Sequence, residues 1–263
     1  MEDWFVLKLP VFNPKYKKWK KYGYINKKEK AELKEVLEES TEGYCMYCFS
    51  RIRVDGKLYA NLEHAIEKGN SEKLTECIPN IGLSCSVCNQ TFKRIGEKKR
   101  KLLESVMNQF EKNSRCSIEK RKQCTIPCKA LRTLQKNYSA LPEAEIVLQP
   151  MGIKGCDTNE ELNLQYNVLN MEFEPAKDKY TYSRKEVEFI EAHIRRFRLN
   201  DPKYRSRQLF DFVRNVIDHE GKIPSYEYNN LIVELFRKKL LDKSKEESLK
   251  ICQSIFKITF SKM

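Results

Sequence analysis

Four cysteines in the first third of the chain are spaced as ligands of a single metal ion. Cys45 and Cys48 form one C-x2-C pair, and Cys85 and Cys88 form a second pair after 36 intervening residues. Two such pairs supply four thiolates, the ligand set of many structural zinc sites. Four unrelated core cysteines, the alternative, would not explain paired spacing at both ends. The sequence therefore predicts a structural Zn²⁺ that ties two stretches of chain together.

Between and beside these pairs lie side chains suited to phosphodiester hydrolysis. That reaction needs a base for water, a cation for the developing charge and a cationic surface to hold the strand. His64, the only histidine in the first 192 residues, offers a neutral imidazole as the base. Glu63 and Asn89 offer the oxygen atoms that hard divalent cations prefer. A lone histidine is more often structural, but this one follows a carboxylate inside the predicted zinc clamp.

The order Cys-x2-Cys, Glu-His, Asn, Cys-x2-Cys-Asn resembles the HNH endonucleases of the ββα-metal fold, in their zinc-stapled form. The matching segments are CMYC (45–48), LEH (62–64), PNIGLSC (79–85) and CN (88–89). The resemblance implies an α+β fold in which a hairpin, a loop and a helix form the metal-binding core, with a mainly helical C-terminal accessory region.

The same resemblance implies a role for each matched residue. His64 would be the general base, and Glu63 and Asn89 would bind a catalytic Mg²⁺ or Mn²⁺. Asn80 would brace the loop that holds the histidine. The segments AEIVLQPMG (144–152), LNLQYNVLNMEFEP (162–175) and 190–210 resemble the tails of HNH nucleases from Septu-type and retron-associated anti-phage systems, which implies an ATPase partner.

Three departures from the family pattern bear on these roles. Glu63 stands where the superfamily often has Asp. Lys93 lies four residues after Asn89 rather than three, and no proline follows the histidine closely. Adjacent residues on a regular strand also face opposite sides. Glu63 and His64 can therefore share a site only where the strand ends or kinks, and we expect a break in pairing there.

Sequence patterns predict the elements that would position these residues. A helix is expected over 28–39, which has strong helix formers and an apolar stripe. Residues 51–54 and 57–66 would form a hairpin around Asp55-Gly56. A loop would follow over 67–80, and a long helix would begin at Cys85 and run to residue 113. Further on, Ser183 and Glu186 predict a helical capping box, and amphipathic segments follow at 204–217 and 226–259.

Positive charge is concentrated in the first half of the chain. The formal net charge is +13, and residues 1–140 carry 29 Lys+Arg against 17 Asp+Glu, whereas residues 141–263 carry 21 against 20. This asymmetry favours a polyanionic partner for the first half, DNA or, as the alternative, RNA. A helix over 93–101 would follow the phosphate backbone. The residues expected to bind nucleic acid are Lys93, Arg94, Lys98, Lys99, Arg100 and Lys101.

These patterns divide the chain into three expected parts. Residues 1–40 would be a basic and aromatic segment with one helix, 41–138 the nuclease core with a basic helical extension, and 139–263 an accessory or partner-binding region. The opening residues do not form a signal peptide, and no apolar run could span a membrane. A cytoplasmic location, where thiols stay reduced, is therefore expected.

Several alternatives remain open from the sequence. Cys116, Cys124, Cys128 and Cys156 could form a second zinc site, although their spacing is irregular, and Cys77 and Cys252 fit small buried hydrophobes. The chain could be a zinc-stapled nucleic-acid-binding or adaptor protein without catalysis. It could also be a nuclease that acts on RNA, or one that is silent until a partner binds its C-terminal region.

Overall fold

The structure is a computed structural model that describes residues 4–112, 124–177, 179–201, 207–225 and 228–260. It combines α-helices with small antiparallel sheets, which agrees with the mixed helix and strand content expected from the sequence. Buried hydrophobic residues from all three expected segments form one continuous core. Among the helices in these ranges, none combines the length and apolar composition needed to cross a bilayer.

The largest sheet joins the two ends of the chain. Strand β1 (Val6–Lys8) pairs antiparallel with β6 (Leu164–Asn167), and β6 pairs antiparallel with β7 (Glu172–Pro175). The sequence correctly predicted strands over 162–175. Strand β1 lies in the predicted N-terminal part, residues 1–40, but it pairs with β6 in the predicted C-terminal part. The N-terminal segment is therefore integral to the fold.

Two separate pairs of antiparallel strands replace the single hairpin predicted around Asp55-Gly56. Strands β2 (Arg53–Val54) and β3 (Lys57–Leu58) pair across that turn, where both turn residues have positive φ. The following strand, β4 (Asn61–His64), instead pairs antiparallel with β5 (Ile81–Ser84). The predicted partner of His64 was therefore wrong. All four residues of β5 are buried, so the partner strand lies in the core and not at the surface hairpin.

The long helix predicted from Cys85 to residue 113 is broken into three pieces. A π-helical turn covers Cys88–Phe92, a 3₁₀ turn covers Glu97–Lys99, and helix α2 covers Glu104–Glu111. Gly96 lies between the first two pieces with φ +74°, a left-handed conformation that glycine adopts without strain and that ends helices. The predicted basic helix over 93–101 does not form, since this glycine interrupts it.

The remaining helices surround these small sheets. Helix α1 spans Lys27–Thr41, as predicted, and begins at Asn26, whose side chain accepts from the Lys28 and Glu29 amides. The predicted capping box of Ser183 and Glu186 is present at the start of the helix over Arg184–Arg196, labelled α4. The other helices are α3 (Lys129–Ser139), α4 (Arg184–Arg196), α5 (Gln208–Asp218), α6 (Leu231–Leu240) and α7 (Lys245–Phe260).

Two predictions for the C-terminal region need correction. Residues 144–152 were expected to form a strand, but they pair with no other strand. The Val147 amide instead donates to Nδ1 of His193 on α4 at 3.0 Å, so a side chain supplies the acceptor that a neighbouring strand would otherwise provide. The amphipathic segment 226–259 contains two helices, α6 and α7, rather than one.

Candidate functional site

The two cysteine pairs come together as the sequence predicted. The ligand atoms of Cys45, Cys48, Cys85 and Cys88 all lie within 4.8 Å of one another. Cys45 lies in a tight turn in which its carbonyl accepts from the Phe49 amide at 3.0 Å, and Phe49 has φ 60°. The second pair spans the end of β5 and the start of the π-helical turn. We call these four residues the four-cysteine cluster.

Local backbone groups prepare the cluster for a metal ion. The Cys85 amide donates to Sγ of Cys45 at 3.3 Å, and the Cys88 amide donates to Sγ of Cys85 at 3.4 Å. Hydrogen bonding with Cys45, and then with Cys48 and Cys88, lowers the pKa of the Cys85 thiol. Four converging thiols can hold a metal such as zinc.

The remaining cysteines do not form a second cluster in the part of the chain that the structure describes. There, only the four-cysteine cluster brings together three or more potential metal ligands of the His, Cys, Asp and Glu types. Cys116, one of the four residues in the alternative site, lies outside the described residues. Cys77 and Cys252 are buried, as expected for small hydrophobes.

A cleft of about 240 Å³ opens beside the cluster and is lined by three carboxylates, three cations and His64. We call it the Glu63 cleft. Glu63 and His64 at the end of β4 line this cleft together with Asn89 from the π-helical turn. Pairing with β5 stays regular through His64, and the strand ends there. The two adjacent side chains therefore reach one cleft from a strand end, one of the two arrangements that the sequence allowed.

His64 is held by contacts on two sides. Its Nε2 lies 3.2 Å from the carbonyl oxygen of Thr75, and its ring packs edge-on against Tyr24 with 4.6 Å between centroids. Since a carbonyl can only accept, Nε2 carries the proton in this contact and Nδ1 of the neutral ring keeps a lone pair. Burial lowers the pKa of His64, although the contact with Thr75 opposes the shift. The imidazole is therefore neutral at neutral pH.

Both carboxylate oxygens of Glu63 have partners within the chain. The Tyr47 hydroxyl donates to Oε2 at 2.7 Å, and the Lys93 ammonium donates to Oε1. Glu63 is only 3% exposed, so its charge depends on these partners for compensation. Tyr47 lies inside the first cysteine pair, so the same turn that presents Cys45 and Cys48 also fixes this carboxylate.

Asn80 lies behind the cleft and is completely buried. Its side-chain oxygen accepts from the Ile66 amide and its side-chain nitrogen donates to the Ile66 carbonyl, both at 2.9 Å. Its own carbonyl accepts from the Ala65 amide at 2.7 Å. Asn80 thus ties down the two residues that follow His64, a contact pattern suited to the bracing role implied by the resemblance.

The six basic residues expected to bind nucleic acid divide into two groups. Arg94, Lys98, Lys99 and Lys101 are exposed, whereas Lys93 and Arg100 are buried. Arg100 donates to Glu67, to the Tyr138 hydroxyl at 2.8 Å and to three main-chain carbonyls. Lys93 and Arg100 thus lie inside the protein with acceptors of the chain around them, and contact with nucleic acid stays a prediction that the four exposed residues suit better.

Three residues at this site were missed from the sequence. Tyr24 packs on His64, Tyr47 holds Glu63, and Glu67 lines the cleft while accepting from Arg100 and Tyr138. Tyr24 belongs to the basic and aromatic segment expected over 1–40, and Tyr47 stands between two predicted metal ligands, so each had a local signal. The contact between Glu67 and Tyr138 spans 71 positions and had none.

Comparisons with known proteins found no match: no protein-family model, no curated protein and no solved structure matches the chain. What the site can do is therefore argued from its residues.

Proposed function

We propose that the chain is a metal-dependent HNH-type endonuclease that hydrolyses phosphodiester bonds in DNA, with His64 as the general base. The observation that carries the proposal is that Glu63, His64 and Asn89 line one cleft. The order of β4, β5 and the helical turn at Cys88 also fits the strand, strand and helix of the ββα-metal resemblance. In this proposal the four-cysteine cluster holds a structural Zn²⁺.

The environment of His64 supports its role as the base. With Nε2–H directed at the Thr75 carbonyl, the lone pair of Nδ1 is the atom that can accept a proton from water. Burial disfavours the charged ring, so the base is in its active form at neutral pH. Asn80 and Tyr24 restrict the strand end and the ring from two sides, which keeps the lone pair in a defined position.

The donor atoms of the cleft fit a hard divalent cation. The Glu63 carboxylate and the Asn89 amide are oxygen donors, and the carboxylate already accepts from a cationic group, the Lys93 ammonium. When bound, Mg²⁺ or Mn²⁺ would supply positive charge for the phosphate and the leaving oxygen. Tyr47 orients the carboxylate by donating to its second oxygen.

Exposed basic side chains near the cleft support a polyanionic substrate. Lys68 and Arg94 line the cleft itself, and Lys98, Lys99 and Lys101 are exposed on the following turn. These residues lie in short 3₁₀ turns and loops rather than in an α-helix, so they do not form an element that could enter a DNA groove. The proposal is therefore a nuclease that contacts the phosphate backbone and has little base preference.

The test is nicking of supercoiled plasmid by the zinc-loaded chain with Mg²⁺ or Mn²⁺. His64→Ala should reduce the rate by about 10²- to 10⁴-fold, the range contributed by a general base. His219→Ala is a matched control, because His219 is an exposed histidine at the end of α5. This control should cut like the wild type, and zinc content and circular dichroism should be equal in all three proteins.

The resemblance of the C-terminal segments adds anti-phage defence beside an ATPase partner to the proposal. The assay is therefore run with and without any ATPase that a neighbouring gene proves to encode, and with RNA in parallel. A wild type that cuts neither substrate under any condition would rule out the nuclease. Equal cutting by His64→Ala would rule out His64 as the base, and cutting of RNA alone would replace DNA as the substrate.

One observation favours a second candidate, a non-catalytic nucleic-acid-binding or adaptor protein. Both oxygens of Glu63 are already paired within the chain, and Glu63 and His64 are 3% and 9% exposed. Such a protein would use the four-cysteine cluster only for stability and the exposed lysines for binding. It would retain DNA in a gel-shift assay, lose that binding with added salt, and never nick the plasmid.

A further inference from the structure

Lys93 is 4% exposed, although burial of an ammonium group is costly unless it is fully paired. The group donates to Oε1 of Glu63, to the main-chain oxygen of His64 and, at 2.9 Å, to the main-chain oxygen of Ala65. An ammonium has three N–H donors, so these acceptors use all of them. Burial, followed by the nearby charge of Arg100, lowers the pKa of Lys93, whereas the carboxylate and the two carbonyl oxygens that accept its N–H groups favour the charged form. With all three N–H groups paired, we treat Lys93 as an ammonium enclosed by three oxygen atoms at the end of β4.

These three oxygens are of the types that hard divalent cations bind, namely a carboxylate and main-chain carbonyls. The other oxygen of Glu63 is taken by the Tyr47 hydroxyl. A divalent cation that reaches the Glu63 carboxylate therefore meets an ammonium already at Oε1. Two cations within a few ångströms of one another in a buried site repel strongly, because the surroundings screen them poorly.

We propose that the Lys93 ammonium and a divalent cation are alternative occupants of the oxygen-lined position at Glu63, so that Lys93 sets a low affinity of the cleft for metal. The inference rests on the proposed function in one respect, the assignment of Glu63 as a metal ligand. It adds that metal entry requires the Lys93 side chain to leave Glu63. Lys93 is then the residue that tunes how much metal the cleft holds.

The direct test is Mn²⁺ binding to the zinc-loaded full chain, measured from the electron paramagnetic resonance signal of free Mn²⁺. Lys93→Met removes the ammonium while keeping a long apolar side chain, and it should tighten Mn²⁺ binding about tenfold or more, because the competing cation is gone. Arg94→Met is the matched control. Arg94 is the neighbouring cation and lines the same cleft, but its side chain is 70% exposed. Its removal should change the affinity by about twofold at most, since solvent and salt screen it.

Glu63→Gln separates failure of this inference from failure of the proposed metal site. If Glu63→Gln abolishes Mn²⁺ binding and Lys93→Met leaves the affinity equal or weaker, competition is wrong while the metal site stands. If Glu63→Gln binds Mn²⁺ as the wild type does, the metal site itself is wrong and the competition falls with it. Equal tightening by Lys93→Met and Arg94→Met would also overturn the inference, because a general charge effect would explain both.

A second measurement uses the wild type alone and so does not depend on how any variant folds. Brief acetylation followed by mass spectrometry reports the accessibility of each lysine amine. Lys93 should be protected without Mn²⁺ and should become several-fold more reactive once Mn²⁺ saturates the protein. Exposed Lys98 is the internal control and should not change. Unchanged protection of Lys93 at saturating Mn²⁺ would overturn the proposal.

Discussion

The four-cysteine cluster and the Glu63 cleft are both candidate cation sites, and they differ in what their ligand atoms contact. In the cluster, four thiols face one another within 4.8 Å, and no lysine or arginine is recorded among their hydrogen-bond partners in the described residues. In the cleft, the carboxylate of Glu63 is paired with Lys93 and Tyr47. The four thiols of the cluster could bind a metal such as zinc, whereas the carboxylate of the cleft is already paired with a cation of the chain.

The two sites are nevertheless joined by the backbone at two points. Tyr47 lies between the first two cysteines and donates to Glu63, and Asn89 directly follows Cys88 and lines the cleft. A soft metal in the cluster would therefore fix two residues of the oxygen site. A metal in the four-cysteine cluster would therefore stabilise the position of cleft residues, whereas a metal in the cleft would not be needed to bring the cysteines together.

The largest expected effect comes from emptying the cluster. Structural zinc in small fingers contributes on the order of 10–16 kcal/mol, so its removal should unfold the region that carries both sites. We expect Cys85→Ser or zinc chelation to lower the melting temperature by at least about 10 °C. Differential scanning fluorimetry with zinc analysis of each sample measures this, and Mn²⁺ binding at the cleft should be lost as well.

Cys156→Ser is the control for that experiment, because Cys156 is exposed and lies outside the cluster. It should retain the zinc and melt within about a degree or two of the wild type, as expected for a surface substitution. If Cys85→Ser keeps both the fold and Mn²⁺ binding, the claim that the cluster supports the cleft is wrong.

A smaller but still large effect is expected at Arg100, which supports the cleft from behind. Arg100→Gln would leave the Glu67 carboxylate without its charged partner and several carbonyls without a donor. Breaking a buried pair in this way costs about 3–5 kcal/mol. Urea unfolding at neutral pH measures the loss, and the zinc content should stay at the wild-type level.

Lys98→Gln is the matched control for Arg100→Gln, since Lys98 is an exposed cation two positions away. It should change stability by less than about 0.5 kcal/mol. If Lys98 contacts phosphate, the Lys98→Gln substitution should also reduce the salt slope of DNA binding by about one. The reverse pattern, with stability intact and DNA binding lost in Arg100→Gln, would restore the surface role predicted from the sequence.

The contrast between Lys98 and Arg100 shows where sequence reasoning succeeded and where it could not. The cysteine cluster was predictable because spacing within each pair fixes a local turn, and two turns are enough to define the site. Lysines and arginines in a charged run are usually solvated, and nothing local distinguished the buried Lys93 and Arg100 from their exposed neighbours. Their burial depends on acceptors at Glu63 and Glu67, about thirty positions away.

Strand pairing shows the same limit. The turn at Asp55-Gly56 is set by two adjacent residues and was predicted correctly. The pairing of β4 with β5 joins segments separated by a loop of sixteen residues, and it was missed. The buried run of β5 carries no polar alternation, because both of its faces are covered, so its pattern could not be told from an ordinary buried stretch.

The smallest expected effect is a pH dependence of folding stability that comes from His193. It tests the packing behind the cleft separately from the cysteine cluster. His193 on α4 packs on Tyr47 with ring centroids 6.2 Å apart, and its Nδ1 accepts from the Val147 amide. Burial, with a smaller contribution from Arg196, lowers the pKa of His193 to about 3. The unfolded chain takes up a proton near pH 6.5, but the folded chain does not until about pH 3. Folding stability is therefore lost as pH falls from about 6.5 towards 3.

His193→Gln removes this titration while keeping an acceptor for the Val147 amide. Between pH 7.0 and 5.5 the wild type should lose about 1 kcal/mol more unfolding free energy than this variant, which urea unfolding at the two pH values measures. Zinc content is checked at both pH values, because protonation of the cysteines would also destabilise the chain. Parallel losses in the two proteins would place the acid sensitivity outside His193, in the cluster or at His64, whose pKa burial also lowers. A smaller loss in His193→Gln assigns it to the buried packing that holds Tyr47 against Glu63.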